Sequence, residues 1–243
     1  MGNSKTADYE ILASFYHHLM RSVNYKLWAE YIESIVRDHL PKRASVLELG
    51  AGTGKFAEYF KKYFKNIIIS DLSYPMLAAH SYKSLIKICC DMTALPFKNK
   101  YDLIYSNFDS VNYLTSRKKM VKCFSEVKNI LTEDGIFTFD VSLEKNSLKH
   151  VRRSNRKGKY NKIKYEQNSF YDHEKKIHKN IFRINLGDSK LFTEIHKQKI
   201  YTFDEYFFMI DKAGLYAIEC YEAFSNETGN RDSERLQFIV KRK

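Results

Sequence analysis

The sequence predicts an α/β fold built on a Rossmann-like sheet of seven mostly parallel strands with helices on both faces. Short apolar runs alternate with amphipathic helical segments, which is typical of parallel strands joined by helical crossovers. A glycine-rich turn over residues 48–54 joins the first predicted strand to a helix. The next two predicted strands each end in an aspartate, Asp71 and Asp91, at the sheet edge where open α/β sheets bind ligands.

The length of the chain predicts one domain with an insertion. Its 243 residues suffice for a sizeable α/β unit and are few for two full domains. We predict a single domain over residues 1–243, with a helical cap over residues 1–40 and an antiparallel β lid over residues 145–201, inserted after the fifth strand. A composition of 44% hydrophobic and 15% aromatic residues excludes wholesale disorder.

Composition also bears on partners, metals and compartment. The net charge of +12 is compatible with a polyanion, but lysine is spread along the whole chain, which favours solvated faces over a nucleic-acid interface. No run approaches the roughly 18 apolar residues of a membrane span, and no signal peptide is recognisable. The four cysteines and eight histidines show no metal-ligand spacing, so we predict reduced thiols, no metal and a cytoplasmic location.

Residues 1–6 match the loose pattern for N-myristoylation. No cysteine lies nearby for a second acyl chain, and a single chain binds membranes only marginally. We therefore do not favour an acyl anchor.

The predicted elements begin with a helical segment over residues 7–40, which Pro41 ends. Residues 46–49 form the first buried strand, and the glycines that follow allow a sharp turn into a helix over residues 55–63. An amphipathic helix is expected over residues 121–131. Four further strands are predicted at residues 67–71, 86–91, 101–107 and 136–141.

The pattern changes after the fifth strand. Residues 145–164 are polar and strongly basic, and we interpret them as a connection. Three alternating segments then predict an antiparallel lid of about three strands, with Gly187-Asp188 as a hairpin turn. The three lid strands are expected at residues 163–171, 177–186 and 191–201. A final helix is expected at residues 202–213, and the last two strands of the main sheet at residues 216–224 and 236–240.

The glycine-rich turn is compatible with three kinds of nucleotide site. A Walker loop fails, because Leu49 and Phe56 occupy positions that need Gly and Ser or Thr. A dinucleotide fingerprint is weak, because Lys55 stands where its third glycine should be. The stretch Glu48-Leu-Gly-Ala-Gly-Thr-Gly instead resembles the first motif of class I S-adenosylmethionine (SAM)-dependent methyltransferases, E/D-x-G-x-G-x-G.

This resemblance extends over nearly the whole chain and is closest to a bacterial small-molecule branch. That branch is similar to the aminosugar N,N-dimethyltransferases and the glycine N-methyltransferases. The segments that carry the resemblance are Tyr16, residues 48–54, 71–76, 91–92 and 108–114, and Glu194-Ile-His196.

The resemblance implies that SAM is the cofactor and S-adenosylhomocysteine the product. It implies that Asp71 holds the ribose hydroxyls, and that Asp91 accepts from the adenine amino group. Trp28 is included, although packing of its ring onto the sheet is the preferred explanation. The implied cofactor-binding residues are Tyr16, Trp28, Glu48, Gly50, Ala51, Gly52, Asp71, Leu72, Met76, Asp91, Met92, Asn107, Phe108 and Tyr113.

Methyl transfer needs alignment and exclusion of water, and it needs a base only when the acceptor arrives protonated. The candidates for catalysis are His196, Asp109 and Tyr16. Histidine is chosen because its ordinary pKa lies near neutrality. His196 is alternatively a packed strand residue, and Asp109 a helix cap.

Three functions compete at this point. The first is a SAM-dependent methyltransferase that acts on nitrogen or oxygen of a small polar acceptor enclosed by the lid. The second is an RNA methyltransferase that uses the basic stretch at residues 152–164. The third is a non-catalytic SAM-binding protein, because a fold does not by itself fix a function.

Overall fold

The computed structural model describes residues 3–5, 8–79, 85–153, 155–187 and 190–243. Its strands, in chain order, are β1 Asn3–Lys5, β2 Val46–Leu49, β3 Ile67–Asp71, β4 Ile86–Cys89, β5 Tyr101–Ser106, β6 Leu131–Ser142, β7 Arg156–Tyr160, β8 Ile163–Asp172, β9 Ile177–Asn185, β10 Leu191–Lys199, β11 Leu215–Glu222 and β12 Arg235–Arg242. Its α-helices are α1 Tyr16–Leu19, α2 Tyr25–Val36, α3 Lys55–Phe60, α4 Tyr74–Ala78, α5 Arg117–Ile130, α6 Glu144–Arg153 and α7 Phe203–Lys212.

Seven of these strands form the main sheet, in the order β11-β12-β6-β5-β2-β3-β4. The five strands from β6 to β4 are parallel, and β12 runs antiparallel to both of its neighbours. The predicted seven-stranded, mostly parallel sheet is therefore confirmed. Because β2 lies at the centre, the turn that follows it stands at the middle of the sheet's carboxyl edge.

Two apolar clusters cover the faces of the main sheet. One packs α5 and α7 on the sheet through fully buried side chains such as Phe124, Phe139 and Tyr206. The other packs α2 and α3 through Ile32 and Phe60. All four residues of β2 are buried, as expected for a strand covered on both faces. Helices therefore hold the central strands rigidly on both sides.

The second sheet has the order β1-β10-β9-β8-β7. We call it the insertion sheet, because four of its strands lie between β6 and α7. It differs from the predicted three-stranded lid in two ways: β7 adds a fourth antiparallel strand, and β1 pairs in parallel with β10. The hairpin between β9 and β10 has the predicted antiparallel pairing, although Asp188 of its turn lies outside the described residues.

Two segments differ from their predicted form. Residues 145–164 were expected to be a connection but contain most of α6 and all of β7. The N-terminal segment is divided into a 3-10 turn at Leu12–Phe15 and the helices α1 and α2, with β1 before them. The first two residues of the myristoylation pattern, Met1 and Gly2, lie outside the described residues.

Within the part of the chain described, no helix combines the length and apolar character needed to cross a membrane. All four cysteines, Cys89, Cys90, Cys123 and Cys220, are free thiols.

Candidate active site

A cavity of about 720 Å³ opens at the carboxyl ends of β2, β3 and β4. We call it the first cavity. Its volume lies in the range of pockets that hold a cofactor-sized molecule. The described residues that line it include Tyr9, Tyr16, Gly50, Ala51, Gly52, Asp71, Leu72, Met76, Asp91, Met92, Phe108, Ser110 and Tyr113.

The glycine turn forms the floor of the first cavity. Gly50, Gly52 and Gly54 all have positive φ angles, of 67°, 59° and 77°, which side chains with a Cβ rarely adopt. A Cβ on Gly50 would come within 2.8 Å of the Cβ of Ser110. At its glycines the turn is therefore bare backbone, to which a ligand can approach closely.

We predict that Gly50→Ala abolishes measurable SAM binding, because the Cβ both strains the turn and displaces Ser110. The left-handed conformation alone should cost about 1–2 kcal/mol of stability. Calorimetric titration with SAM checks the prediction. The matched control is Gly214→Ala, which has a φ of 75° at the end of α7 and lines neither cavity, and which should lose stability but keep its SAM affinity.

Asp71 is held rigidly at the end of β3. Its Oδ2 accepts from the amide of Gly52 at 2.7 Å, and its Oδ1 accepts from the amide of Ser73 at 2.7 Å. Burial raises the pKa of Asp71, and the amides oppose this shift because they stabilise the charged form. Asp91 is fixed in a similar way, because its Oδ1 accepts from the amide of Thr93. Two oriented carboxyl groups thus face one cavity.

Three predicted cofactor residues do not line the first cavity. Glu48 is buried beneath the turn, where it accepts from the hydroxyl of Tyr105 at 3.1 Å, and burial raises the pKa of its carboxyl. Asn107 is also buried below the surface of the cavity, and neither Nδ2 nor Oδ1 of its side chain makes a hydrogen bond with the described residues. Trp28 faces a different cavity.

This second cavity, of about 430 Å³, lies between α2, the inner face of the insertion sheet and the ends of β5, β6 and β12. Four side chains line both cavities, and all of them are aromatic: Tyr9, Tyr16, Phe108 and Tyr113. They form a shared wall. The predicted residues Trp28, Asp109 and His196 face the second cavity.

Phe108 and Asp109 connect the end of β5 to this wall in a strained conformation, with φ angles of 59° and 49°. Such residues cost about 1–3 kcal/mol each and persist only when their surroundings hold them. The amide of Asp109 donates to Asp140 at 3.0 Å, and its carboxylate accepts from Arg235 at 2.9 Å and from Gln198 at 2.7 Å. The strain is therefore concentrated where the two cavities meet.

His196 is 2% exposed and lies on β10 at the inner end of the second cavity. Its Nε2 is 3.3 Å from an oxygen of Glu194, and its Nδ1 is 3.4 Å from the hydroxyl of Tyr113. That hydroxyl is also 2.6 Å from the hydroxyl of Tyr9. A series of hydrogen-bonded side chains thus connects Glu194 to the shared wall.

Glu194 also anchors the start of the chain. Its carboxylate accepts from the backbone amides of Tyr9 and Leu12, both at 3.0 Å, and from that of Ile11. These three hydrogen bonds satisfy a fully buried carboxylate, which would otherwise be very costly. As a result, residues 8–12 cross both cavities at their junction.

Several lining residues were not predicted from the sequence. Tyr9 and Arg235 lie at opposite ends of the chain, and neither belongs to a recognisable motif. His178 was missed because a histidine on an alternating strand carries no signal of its own. Among the described residues, no group of three or more His, Cys, Asp or Glu side chains could hold a metal ion.

The first cavity fits the cofactor that the resemblance implies. The glycines of the turn admit close backbone contact, the Asp71 carboxyl group is a suitable acceptor for hydroxyl groups, and the cavity has room for a nucleoside joined to an amino acid.

Known proteins agree with this fit. A family model described as a methyltransferase domain matches residues 46–135. A protein of Bacillus subtilis, named as a methyltransferase, is 27% identical over 239 residues, which are 95% of each chain. The dTDP-3-amino-3,4,6-trideoxy-alpha-D-glucopyranose N,N-dimethyltransferase of Streptomyces venezuelae is 29% identical over 122 residues, 49% of this chain and 51% of that enzyme.

A solved structure also agrees over the full length of the chain. The crystal structure of a S-adenosylmethionine-dependent methyltransferase from Clostridium acetobutylicum superposes with a TM-score of 0.77 at 25% identity, and the match covers 96% of this chain and 98% of that one. The glycine turn and the strand-end acids lie within the part matched by the family model. Residues 46–135 therefore form a methyltransferase domain, the chain is similar over nearly its full length to SAM-dependent methyltransferases, and SAM is its cofactor.

Proposed function

We propose that the protein transfers the methyl group of SAM to a nitrogen or oxygen of a small polar acceptor bound in the second cavity. The observation that carries this proposal is the shared wall. The cofactor-sized first cavity and the second cavity meet at Tyr9, Tyr16, Phe108 and Tyr113, so that a donor on one side can face an acceptor on the other.

SAM supplies a methyl group on positively charged sulfur, which a nucleophile displaces in line. The chain itself needs to align the two molecules, and alignment can contribute on the order of 7–11 kcal/mol. The aromatic wall suits this task, because its rigid rings exclude water and interact favourably with a nearby cation. We assign Tyr16 to this wall as a residue that positions the acceptor.

His196 is the residue we propose as the base. Glu194 beside Nε2 favours a proton on that nitrogen, which leaves Nδ1 unprotonated and facing Tyr113. Asp109 is less suited to accept a proton, because both of its carboxylate oxygens are engaged by Arg235 and Gln198. We therefore assign Asp109 to positioning of the wall.

The similarity to an aminosugar N,N-dimethyltransferase supports an amine on a sugar-like acceptor. The second cavity is compatible with such a molecule, because hydroxyl groups are recognised by amides and imidazoles of the kind that line it. The direct test is calorimetric titration with SAM, followed by measurement of S-adenosylhomocysteine release with pools of aminosugars, other amines, hydroxy acids and bulk RNA. Turnover with RNA alone would contradict the proposal.

Asp71→Asn should weaken SAM binding by about 1–3 kcal/mol, or roughly 5–150-fold, because a charged acceptor is lost. Calorimetry measures the effect. Asp102→Asn is the matched control: this carboxylate also accepts a backbone amide, that of Ser45 at 2.8 Å, but lines neither cavity. Equal SAM affinity of Asp71→Asn and the unmodified protein would remove Asp71 from the cofactor site.

A further inference from the structure

The second cavity carries more positive charge than the proposed methyl transfer requires. Among the described residues that line it, the single carboxylate is Asp109, which pairs with Arg235, and the same arginine also pairs with the buried Asp140 beneath the cavity. Two further arginines, Arg153 at the end of α6 and Arg156 at the start of β7, line the same cavity. Both are exposed, so they lie toward solvent rather than at the buried inner end where His196 is found.

The inner face of the insertion sheet is polar where it meets these arginines. Strand pairing places Ser169, Asn180 and His196 side by side, and the next pair along the same face brings His178 opposite Gln198. Arg156 lies in the next row, opposite Gln167 and Phe182, and beyond this row the face is apolar, where Phe182 and Ile184 pack in a cluster with Leu12 and Phe15. Arg156 therefore lies beside the polar rows of this face, within the second cavity.

His178 gives a second, independent indication of a ligand. Its side chain is 4% exposed and lines the second cavity, yet its Nδ1 has no hydrogen-bond partner among the described residues. Unpartnered polar atoms in such buried positions are rare, because each one costs desolvation energy. Burial also lowers the pKa of His178, so the imidazole is neutral near pH 7 and the positive charge comes from the arginines.

Arg156 is held in place within this region. Its Nε donates to the side-chain oxygen of Gln167 at 2.9 Å. That contact occupies one edge of the guanidinium group and leaves other N–H donors for a ligand, since arginine carries five. Gln167 in turn donates to Asn180 at 3.2 Å, which ties the arginine to the polar face.

We propose that the acceptor carries an anionic group, a phosphate or a carboxylate, which Arg153, Arg156 and His178 bind at the outer part of the second cavity. This assignment rests on the proposed function of that cavity as the acceptor site. Arginine is well suited to the task, because its planar guanidinium pairs with both kinds of anion in two-pronged geometry. The anion fixes the outer end of the acceptor, and the atom to be methylated points toward the aromatic wall.

The experiment is a calorimetric titration of the full chain with inorganic phosphate and, separately, with acetate, at constant ionic strength. S-adenosylhomocysteine is present at saturation, so that the first cavity is filled and any anion bound is outside it. The proposal expects saturable binding of at least one anion in the millimolar range. The tighter of the two identifies the acidic group as a phosphate or a carboxylate.

The double variant Arg153→Gln/Arg156→Gln should weaken that binding at least about 10-fold, the effect of losing roughly 1.4 kcal/mol. The matched control is Arg152→Gln/Lys159→Gln, which removes the same charge from exposed neighbours that do not line the cavity. No binding of either anion, or equal losses in the two double variants, overturns the proposal. A failure of S-adenosylhomocysteine to bind would be seen separately, in its own titration, and would count against the proposed function instead.

Discussion

Replacing His196 with asparagine should lower the turnover number by about 10²–10⁴-fold, the usual contribution of a positioned base. SAM affinity should stay within about two-fold, because His196 does not line the first cavity. The rate should be measured as S-adenosylhomocysteine release with the acceptor pool that supports turnover. The physical reason is that His196 is the buried imidazole whose Nδ1 is directed to the shared wall.

A matched control separates the effect at His196 from that of losing any imidazole. The polar groups that contact His196 are Glu194, Tyr9 and Tyr113. The exposed-residue control His173→Asn should keep the turnover number of the unmodified protein. An unchanged turnover number in the His196 variant would assign the base elsewhere.

Replacing Glu194 with glutamine should release the N-terminal segment from the site. The carboxylate accepts from three backbone amides, and the side chain of glutamine offers one acceptor oxygen and an NH₂ group that faces donors. The free energy that holds the N-terminal segment in place should fall by about 2–4 kcal/mol, since hydrogen bonds to charged groups contribute about 1.5–3 kcal/mol each. Amide hydrogen exchange at Tyr9, Ile11 and Leu12 should accelerate by roughly 30–1,000-fold.

Methyl transfer by the Glu194 variant should fall as well, because Tyr9 belongs to the wall between the cavities. Glu205→Gln is the matched control. That carboxylate also accepts a backbone amide, from Thr202 at 2.7 Å, but it belongs to the capping box of α7 and lines neither cavity. Unchanged exchange at the three N-terminal amides in the Glu194 variant would show that the carboxylate does not hold the segment.

The parts of the structure that the sequence predicts well are those with local signals. The order of strands and helices follows from short apolar runs, and the glycine turn precedes Asp71 in a recognisable pattern, with Gly52 19 positions before it. The positions of Trp28 and Asn107 relative to the cavities depend on how the helices and strands pack. The spacing of residues in the sequence does not predict that packing.

Other parts have no local signal. The bond between Tyr9 and Glu194 joins residues 185 apart, and that between Arg235 and Asp109 joins residues 126 apart. Helix α6 was missed for a different reason: Ser147 is its single buried residue, so it lacks the apolar stripe by which helices are recognised. Its basic end was predicted as a connection, although it lies at the second cavity.

The way Glu194 holds the N-terminal segment bears on how specificity can change in evolution. The carboxylate binds main-chain amides, which every residue except proline provides, rather than the side chains of residues 9, 11 and 12. Those side chains can therefore be exchanged while the path of the chain over the cavities is kept. Natural variation or laboratory selection can in this way reshape the acceptor side through Tyr9 and Leu12 without redesigning the attachment, and without touching the glycine turn.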